Sequence, residues 1–194
     1  MFAIVRPPGH HAHCSAVGGF CFFNNTVVAA RAALRAYPER VRKVLLVDWD
    51  VHHGNGIQDV TFEDDAIMYV SLHRKQPGFY PETGDADEIG RGRGRGFNVN
   101  VPWPEKGLSD ADYLAAFDLL VEPVATAFAP DLVIVAAGYD AAEGDPLGGC
   151  HVTPDCILNL CDVSNIWHVP LAVSYTHLRA HETRGNLVCR LLLE

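Results

Sequence analysis

Asp48, Asp50 and His52 alternate in the run Val47-Asp48-Trp49-Asp50-Val51-His52-His53-Gly54-Asn55-Gly56, where a hydrophobic segment that begins at Val44 gives way to glycine. Alternate residues of a strand point to one side. Two carboxylates and an imidazole can therefore converge beyond the strand's carboxyl end, where ligands collect in open α/β sheets. Two oxygens and a nitrogen suit an ion of the zinc or manganese class. The competing reading is a surface loop with alternating charges or a capped helix start, which leaves the other acid-rich and histidine-rich segments unexplained. Pro7-Pro8-Gly9-His10-His11-Ala12 presents adjacent histidines on a proline-braced turn, candidates for a proton-transfer pair because imidazole titrates where acid and base roles can alternate. Val133 to Tyr139 leads to Asp140, either a second acid at the end of a second buried strand or a helix N-cap. Ser71-Leu72-His73 puts oxygens at another strand end, where they could hold a monovalent cation or simply close a hydrogen bond.

These groups need a scaffold, and the middle of the chain alternates helical and strand patterns. Asn24 to Ala36 is alanine-rich and stops before Pro38, as a helix would. Lys43 to Val47 is a continuous β-branched and leucine run, the pattern of a strand buried on both faces. A short helix around Ile57 to Phe62 precedes a strand at Ala66 to Leu72, and a third strand at Phe97 to Val101 is expected to stop at Pro102. Ser109 caps a helix with Tyr113, Ala116, Phe117, Leu120 and Val121 on one side, followed by a strand at Asp131 to Ala136. Strands separated by helices require crossover connections, so the fold class is α/β with a mainly parallel sheet. His73 to Gly96 is a long glycine-rich loop, functional or disordered, and its Gly90 to Gly96 arginine-glycine tract reads as a tight backbone loop rather than an RNA-binding repeat.

Composition narrows the classes. A chain of 194 residues, 48% hydrophobic and 20% charged, fits one soluble globular domain. The net charge of -9 argues against direct nucleic-acid binding or an anionic membrane and favours basic partners. The cysteines at 14, 21, 150, 156, 161 and 189 form no CxxC pair or dense framework, so reduced thiols in a nuclear or cytosolic setting are expected. No apolar run has bilayer-spanning length, and Met1 to Val5 is too short and wrongly flanked for a signal peptide.

Taken together, Arg6 to Ala12, Gly18-Gly19-Phe20-Cys21-Phe22-Phe23-Asn24, Val47 to Gly56, Val70 to His73, and Ala137 through Gly149 resemble the zinc-dependent histone deacetylases, class II, of the Hda1 and tubulin-deacetylase type. The resemblance implies a three-layer α/β/α fold of the arginase and deacetylase kind, and hydrolysis of acetyl-lysine in histone tails or other proteins. It further implies possible corepressor partners and a nuclear or cytoplasmic location. Position by position, Asp50, His52 and Asp140 match the zinc ligands. His10 and His11 match the tandem acid/base histidines, with Asp48 behind the first and Asn55 behind the second. Gly19, Phe20, Tyr80 and Leu147 match the acyl-lysine tunnel. Ser71 and Leu72, with backbone oxygens of Asp48, Asp50 and His52, match a structural potassium site. Leucine at 147 sets the chain apart from the polyamine-preferring branch, which carries an acid there to meet a second ammonium. The alternatives are an acetylpolyamine-type amidohydrolase and a catalytically silent domain that binds acetyl-lysine or partner proteins.

Two departures accompany the resemblance. It begins after the family's first strand, and a partial catalytic domain is expected over residues 1–156, with residues 157–194 a non-family tail. The family continues there into a helix, a strand and a glycine-glycine-tyrosine motif whose phenol polarises the acetyl carbonyl. No such motif follows Ile157, and Tyr175 in Ser174-Tyr175-Thr176 is not in its context. Val173 to Glu194 resembles translated adapter sequence, so it is expected to have no packed role, and weak catalysis is expected of a chain lacking that phenol.

Overall fold

Five runs rich in β-branched and aliphatic residues, and one short run at the amino end, become strands of one sheet in the computed structural model, which describes residues 2–167 and 171–176. They are β1 (Phe2–Val5), β2 (Val44–Asp48), β3 (Ile67–Arg74), β4 (Asn98–Trp103), β5 (Leu132–Gly138) and β6 (Leu171–Thr176), in the order β1-β6-β5-β2-β3-β4. Every pairing is parallel. The intervening helices are α1 (Asn25–Ala36), α2 (Asn55–Thr61), α3 (Asp110–Ala116), α4 (Glu122–Phe128) and α5 (Pro154–Trp167).

Strand periodicity divides the core in two. From β2 and β5, Leu45, Val47, Val133, Val135 and Ala137 pack with Tyr113, Phe117, Val121, Phe128, Ile157 and Leu160. The alternate residues Val44, Leu46, Ile134 and Ala136 pack with Val27 and Ala30 of α1 and Ile57 of α2. Helices thus cover both faces, giving three layers, and all residues of β2 and β3 are buried.

Expected and observed boundaries agree within two residues except where tertiary context intervenes. Asn24 caps α1 by accepting from Val27 N at 3.2 Å. β4 runs through Pro102 to Trp103 instead of stopping before it; as the sheet's edge strand it has an unpaired side where a missing N–H costs nothing. The helix after Ser109 is interrupted by one wide π turn, Phe117–Val121, just before Pro123, whose ring and missing N–H oppose regular helical bonding there. The arginine-glycine tract is a tight loop: a 3₁₀ turn at Gly92–Gly94 is pinned by Arg91 on Glu63 and by Arg93 on Asp65 at 3.0 Å.

The carboxyl-terminal expectation needs correction. Residues past Cys156 continue α5 and then supply β6, whose Val173 to Thr176 pair with β1 on one side and β5 on the other. Val173 to Thr176 therefore have a central place in the sheet, because two parallel neighbours satisfy their backbone groups. His177 to Glu194 lie outside the described residues. None of the five described cysteines is in a disulfide: Cys21, Cys150 and Cys156 are buried, Cys161 is half-buried and Cys14 is exposed; Cys189 lies outside the described residues. Among the described residues, no helix is long and apolar enough to cross a membrane.

Candidate metal centre and its pocket

The strand order reverses direction between β2 and β5: the chain passes from β2 outward to β3 and β4, then returns to the other side of β2. Such a switch point opens a crevice at the strands' carboxyl ends. Asp48 is the last residue of β2 and Gly138 the last of β5, so the loops that follow carry Asp50, His52 and Asp140 into that crevice from adjacent strands.

Asp50, His52 and Asp140 each offer one donor atom, and these atoms lie within 4.8 Å of one another. His52 Nδ1 is 2.7 Å from Asp140 Oδ2 and 3.1 Å from Asp50 Oδ1. Backbone amides hold the carboxylates in place: Val51 N donates to Asp140 Oδ1 at 2.9 Å and His52 N to Asp50 Oδ1 at 2.8 Å. Gly138 is required beneath them, since a Cβ there would overlap the Asp50 carboxylate. Burial and the Asp50 charge push Asp140 up to about 7. Burial alone would lower the His52 pKa, but its hydrogen bonds to Asp140 and Asp50 carry it up to about 10. Asp50 moves the other way: burial opposes its charge, yet His10 and His52 hold it below the usual carboxylate range. A buried cluster that crowds two acids and retains protons to neutralise them is one where a cation can take the protons' place. Two oxygens and one nitrogen from three residues leave coordination positions free, the pattern of a catalytic rather than a structural ion.

His10 and His11 stand beside this centre and are held differently. His10 Nδ1 lies 3.0 Å from Asp48 Oδ2, and its Nε2 is 3.7 Å from Asp50 Oδ2. Burial works against its charge, but Asp50 and Asp48 outweigh that and raise its pKa to about 9, so it is cationic at neutral pH. His11 Nδ1 lies 2.8 Å from Asn55 Oδ1. Burial and the neighbouring His10 push its pKa down to about 3, so it is neutral. The rings of the two are tilted, 3.9 Å apart. Two carboxylates close to one imidazole, against burial and a neighbouring cation at the other, thus give adjacent histidines opposite charge states.

A pocket of about 380 Å³ opens over these groups, lined by Pro8, His10, His11, Gly19, Phe20, Asp50, His52, Tyr80 and Leu147. Phe20 and Leu147 stand exposed at its mouth, and Tyr80 is edge-on to His11 with centroids 4.9 Å apart. Gly19, at φ +48°, passes directly under the His11 imidazole, where a Cβ would collide with the ring. The residues 48, 50, 52, 10, 11, 55, 140, 19, 20, 80 and 147 are thus brought together. Ser71 and Leu72 are buried on β3, Ser71 directly opposite Asp48, with its hydroxyl 2.9 Å from His73 Nδ1.

Four contributors were not singled out from sequence. Tyr69 donates its hydroxyl to Asp48 Oδ2 at 3.0 Å, giving that buried oxygen a second partner beside His10. It lies two residues before Ser71 on a fully buried strand, so its face was readable from the period of two, but its partner was not. Phe79 stacks on His52 at 4.8 Å and 7°, with the Arg74 guanidinium 4.1 Å from its ring centroid. Only its adjacency to Tyr80 hinted at a role. His13 and Asp59 join the site through Asn55, and their types and spacing alone carried no signal.

The described residues thus form a parallel α/β sheet with two acids and one histidine, placed to hold a metal ion, at its switch point, and a pair of adjacent histidines beside them. Residues 1–169 match a family described as "Histone deacetylase domain", and the chain belongs to that family. The match reaches thirteen residues past 156, the boundary expected from motifs (169 against 156), because α5 carries no motif to mark it. The chain is 48% identical over 188 residues to "Histone deacetylase HDA1" of Saccharomyces cerevisiae, covering 95% of this chain and 24% of that protein. It is 49% identical over 168 residues to "Polyamine deacetylase HDAC10" of Rattus norvegicus, covering 84% and 28%. The solved structure "Crystal Structure of HDA15 HD domain" superposes with a TM-score of 0.86 at 46% identity, over 99% of this chain and 55% of the other. The chain therefore spans about a quarter of the length of these curated relatives.

Proposed function

We propose that this chain carries the catalytic centre of a zinc-dependent class II lysine deacetylase, acting on acetylated histone tails or other acetylated proteins. The observation that supports it most is the convergence of Asp50, His52 and Asp140, the first two of them lining a pocket with Phe20, Tyr80 and Leu147 in its walls, beside a histidine pair of opposite charge. Zinc held by those three residues would supply Lewis-acid polarisation of the acetyl carbonyl and acidify a water. The remaining roles fall to the chain itself. Phe20 and Tyr80 flank the methylene stem of an acyl-lysine whose charge has been masked, and Leu147 meets it at the rim. His11, neutral, accepts the proton of the attacking water through Nε2 and returns it to the leaving amine. His10, cationic between Asp48 and Asp50, stands where negative charge develops on the substrate. Ser71 Oγ and the backbone oxygens of Asp48, Asp50, His52 and Leu72 are proposed to hold potassium, which would stiffen the loop that bears the metal ligands. Nuclear or cytoplasmic residence and corepressor partners accord with this activity.

A polyamine substrate is the second reading. Leu147 at the pocket mouth disfavours it, since an aliphatic side chain offers nothing to a second ammonium. Acetate release from an acetyl-lysine peptide and from acetylspermidine, by the zinc-loaded chain and by Asp140→Asn, tests these readings. Slow peptide turnover that disappears in Asp140→Asn is expected. Preference for acetylspermidine would favour the polyamine reading, and peptide binding with turnover no faster than Asp140→Asn would favour a silent binding domain.

A further inference from the structure

We propose that His13 and Asp59 are positioning residues that select the tautomer of His11. The inference rests on the role of His11 as base given above. Asn55 and Asp59 lie four residues apart on α2, so both face the turn that carries His11 and His13. The structure shows one continuous chain of contacts. His11 Nδ1 is 2.8 Å from Asn55 Oδ1, Asn55 Nδ2 is 3.2 Å from His13 Nε2, and His13 Nδ1 is 3.1 Å from Asp59 Oδ2.

The direction of every proton in that chain follows from its far end. A carboxylate can only accept, so Asp59 places the His13 proton on Nδ1 and leaves a lone pair on Nε2. That lone pair accepts from the Asn55 amide, so the amide must turn its Nδ2 toward His13 and its Oδ1 toward His11. Oδ1 can only accept, so the His11 proton is fixed on Nδ1 and its Nε2 lone pair is free to face the pocket. The need arises because position 55 is an amide. An aspartate there would fix the tautomer unaided, being an acceptor at both oxygens. An asparagine presents either end with nearly equal ease, and its wrong end would draw the His11 proton to Nε2, leaving no base in the pocket. His13 and Asp59 are partly solvent-exposed, with side chains 32% and 58% accessible, so neither is needed to fill the core.

The test uses the full zinc-loaded chain with ¹⁵N-labelled histidine, in which two-bond couplings report the ring nitrogen that bears hydrogen. His11 is expected as the Nδ1–H form. In His13→Phe and in Asp59→Ala the Nε2–H form should appear, with kcat toward an acetyl-lysine peptide lower by about tenfold, the scale of outer-shell effects, and KM unchanged. His13→Gln, whose side-chain carbonyl can accept from Asn55, should keep the native tautomer. Asn55→Asp should make His11 indifferent to His13→Phe. An unchanged His11 tautomer in both His13→Phe and Asp59→Ala overturns the proposal, as does equal loss in the Asn55→Asp background. If no variant turns over substrate, the couplings still decide the positioning role, and only the deacetylase reading falls.

Discussion

At the scale of single residues, the site shows how burial sets charge. His73 gives a clean case one layer behind the metal ligands. It is fully buried, Nε2 sits 3.0 Å from Gly84 O, and Nδ1 meets Ser71 Oγ. Burial, with the Lys75 charge adding to it against the hydrogen bond that His73 donates to Gly84 O, holds its pKa down to about 4, from an ordinary 6.5. The unfolded chain therefore binds a proton at this residue between pH 6.5 and 4 that the folded chain refuses. Its contribution is fully present above pH 6.5 and is lost as pH falls through 4, about 3 kcal/mol in total. Urea unfolding between pH 7 and pH 4.5 should show stability falling with acid, and His73→Gln should flatten that slope by about 1.4 kcal/mol per pH unit. An identical slope in both proteins would rule out His73 as the source.

At the scale of elements, what was legible depended on whether local sequence or tertiary pairing decides the structure. β2 and β5 declare themselves as aliphatic runs, and the residues just past their carboxyl ends include Asp50, His52 and Asp140, so the candidate metal cluster was readable from the sequence. The outer chain His13 and Asp59 was not readable, because an exposed histidine and an exposed helix acid resemble any others until Asn55 connects them. β1 and β6 were illegible for another reason. Phe2–Val5 is short, and Leu171–Thr176 runs through a serine and a threonine, so each becomes a strand only through its neighbours. β6 is the more consequential. It is hydrogen-bonded on both sides, with Ser174 opposite Ala3 and Ala136. Proline has no N–H for the ladder and is tolerated essentially only at sheet edges. Ser174→Pro should therefore destabilise the chain by about 3 kcal/mol or more, read as a lower urea midpoint by circular dichroism. Proline at Pro102 of the edge strand β4 is native, and the contrast isolates position in the sheet as the cause. Unaltered stability in Ser174→Pro would mean that β6 is not held as a central strand in solution.

At the scale of the whole molecule, the dominant quantity is a net charge of -9 on 194 residues. The pocket itself is lined with few formal charges, and its rim is made of Phe20, Tyr80 and Leu147. On the proposed function, apolar walls would take the acyl-lysine stem, while the surrounding field would act on the rest of the substrate. A lysine-rich peptide approaches down a potential that a neutral peptide does not feel. Such attraction is screened over about 8 Å at physiological ionic strength and extends further in dilute salt. The proton transfers proposed for His11 would occur at a buried residue, shielded from bulk ions. KM for a basic acetylated peptide should therefore rise severalfold between 20 and 300 mM salt, on the order expected for screened steering, while kcat stays level. A neutral acetylated peptide of the same length should show a flat KM. Parallel salt dependence for both peptides would place the salt effect on the protein itself and remove the field from any part in substrate choice.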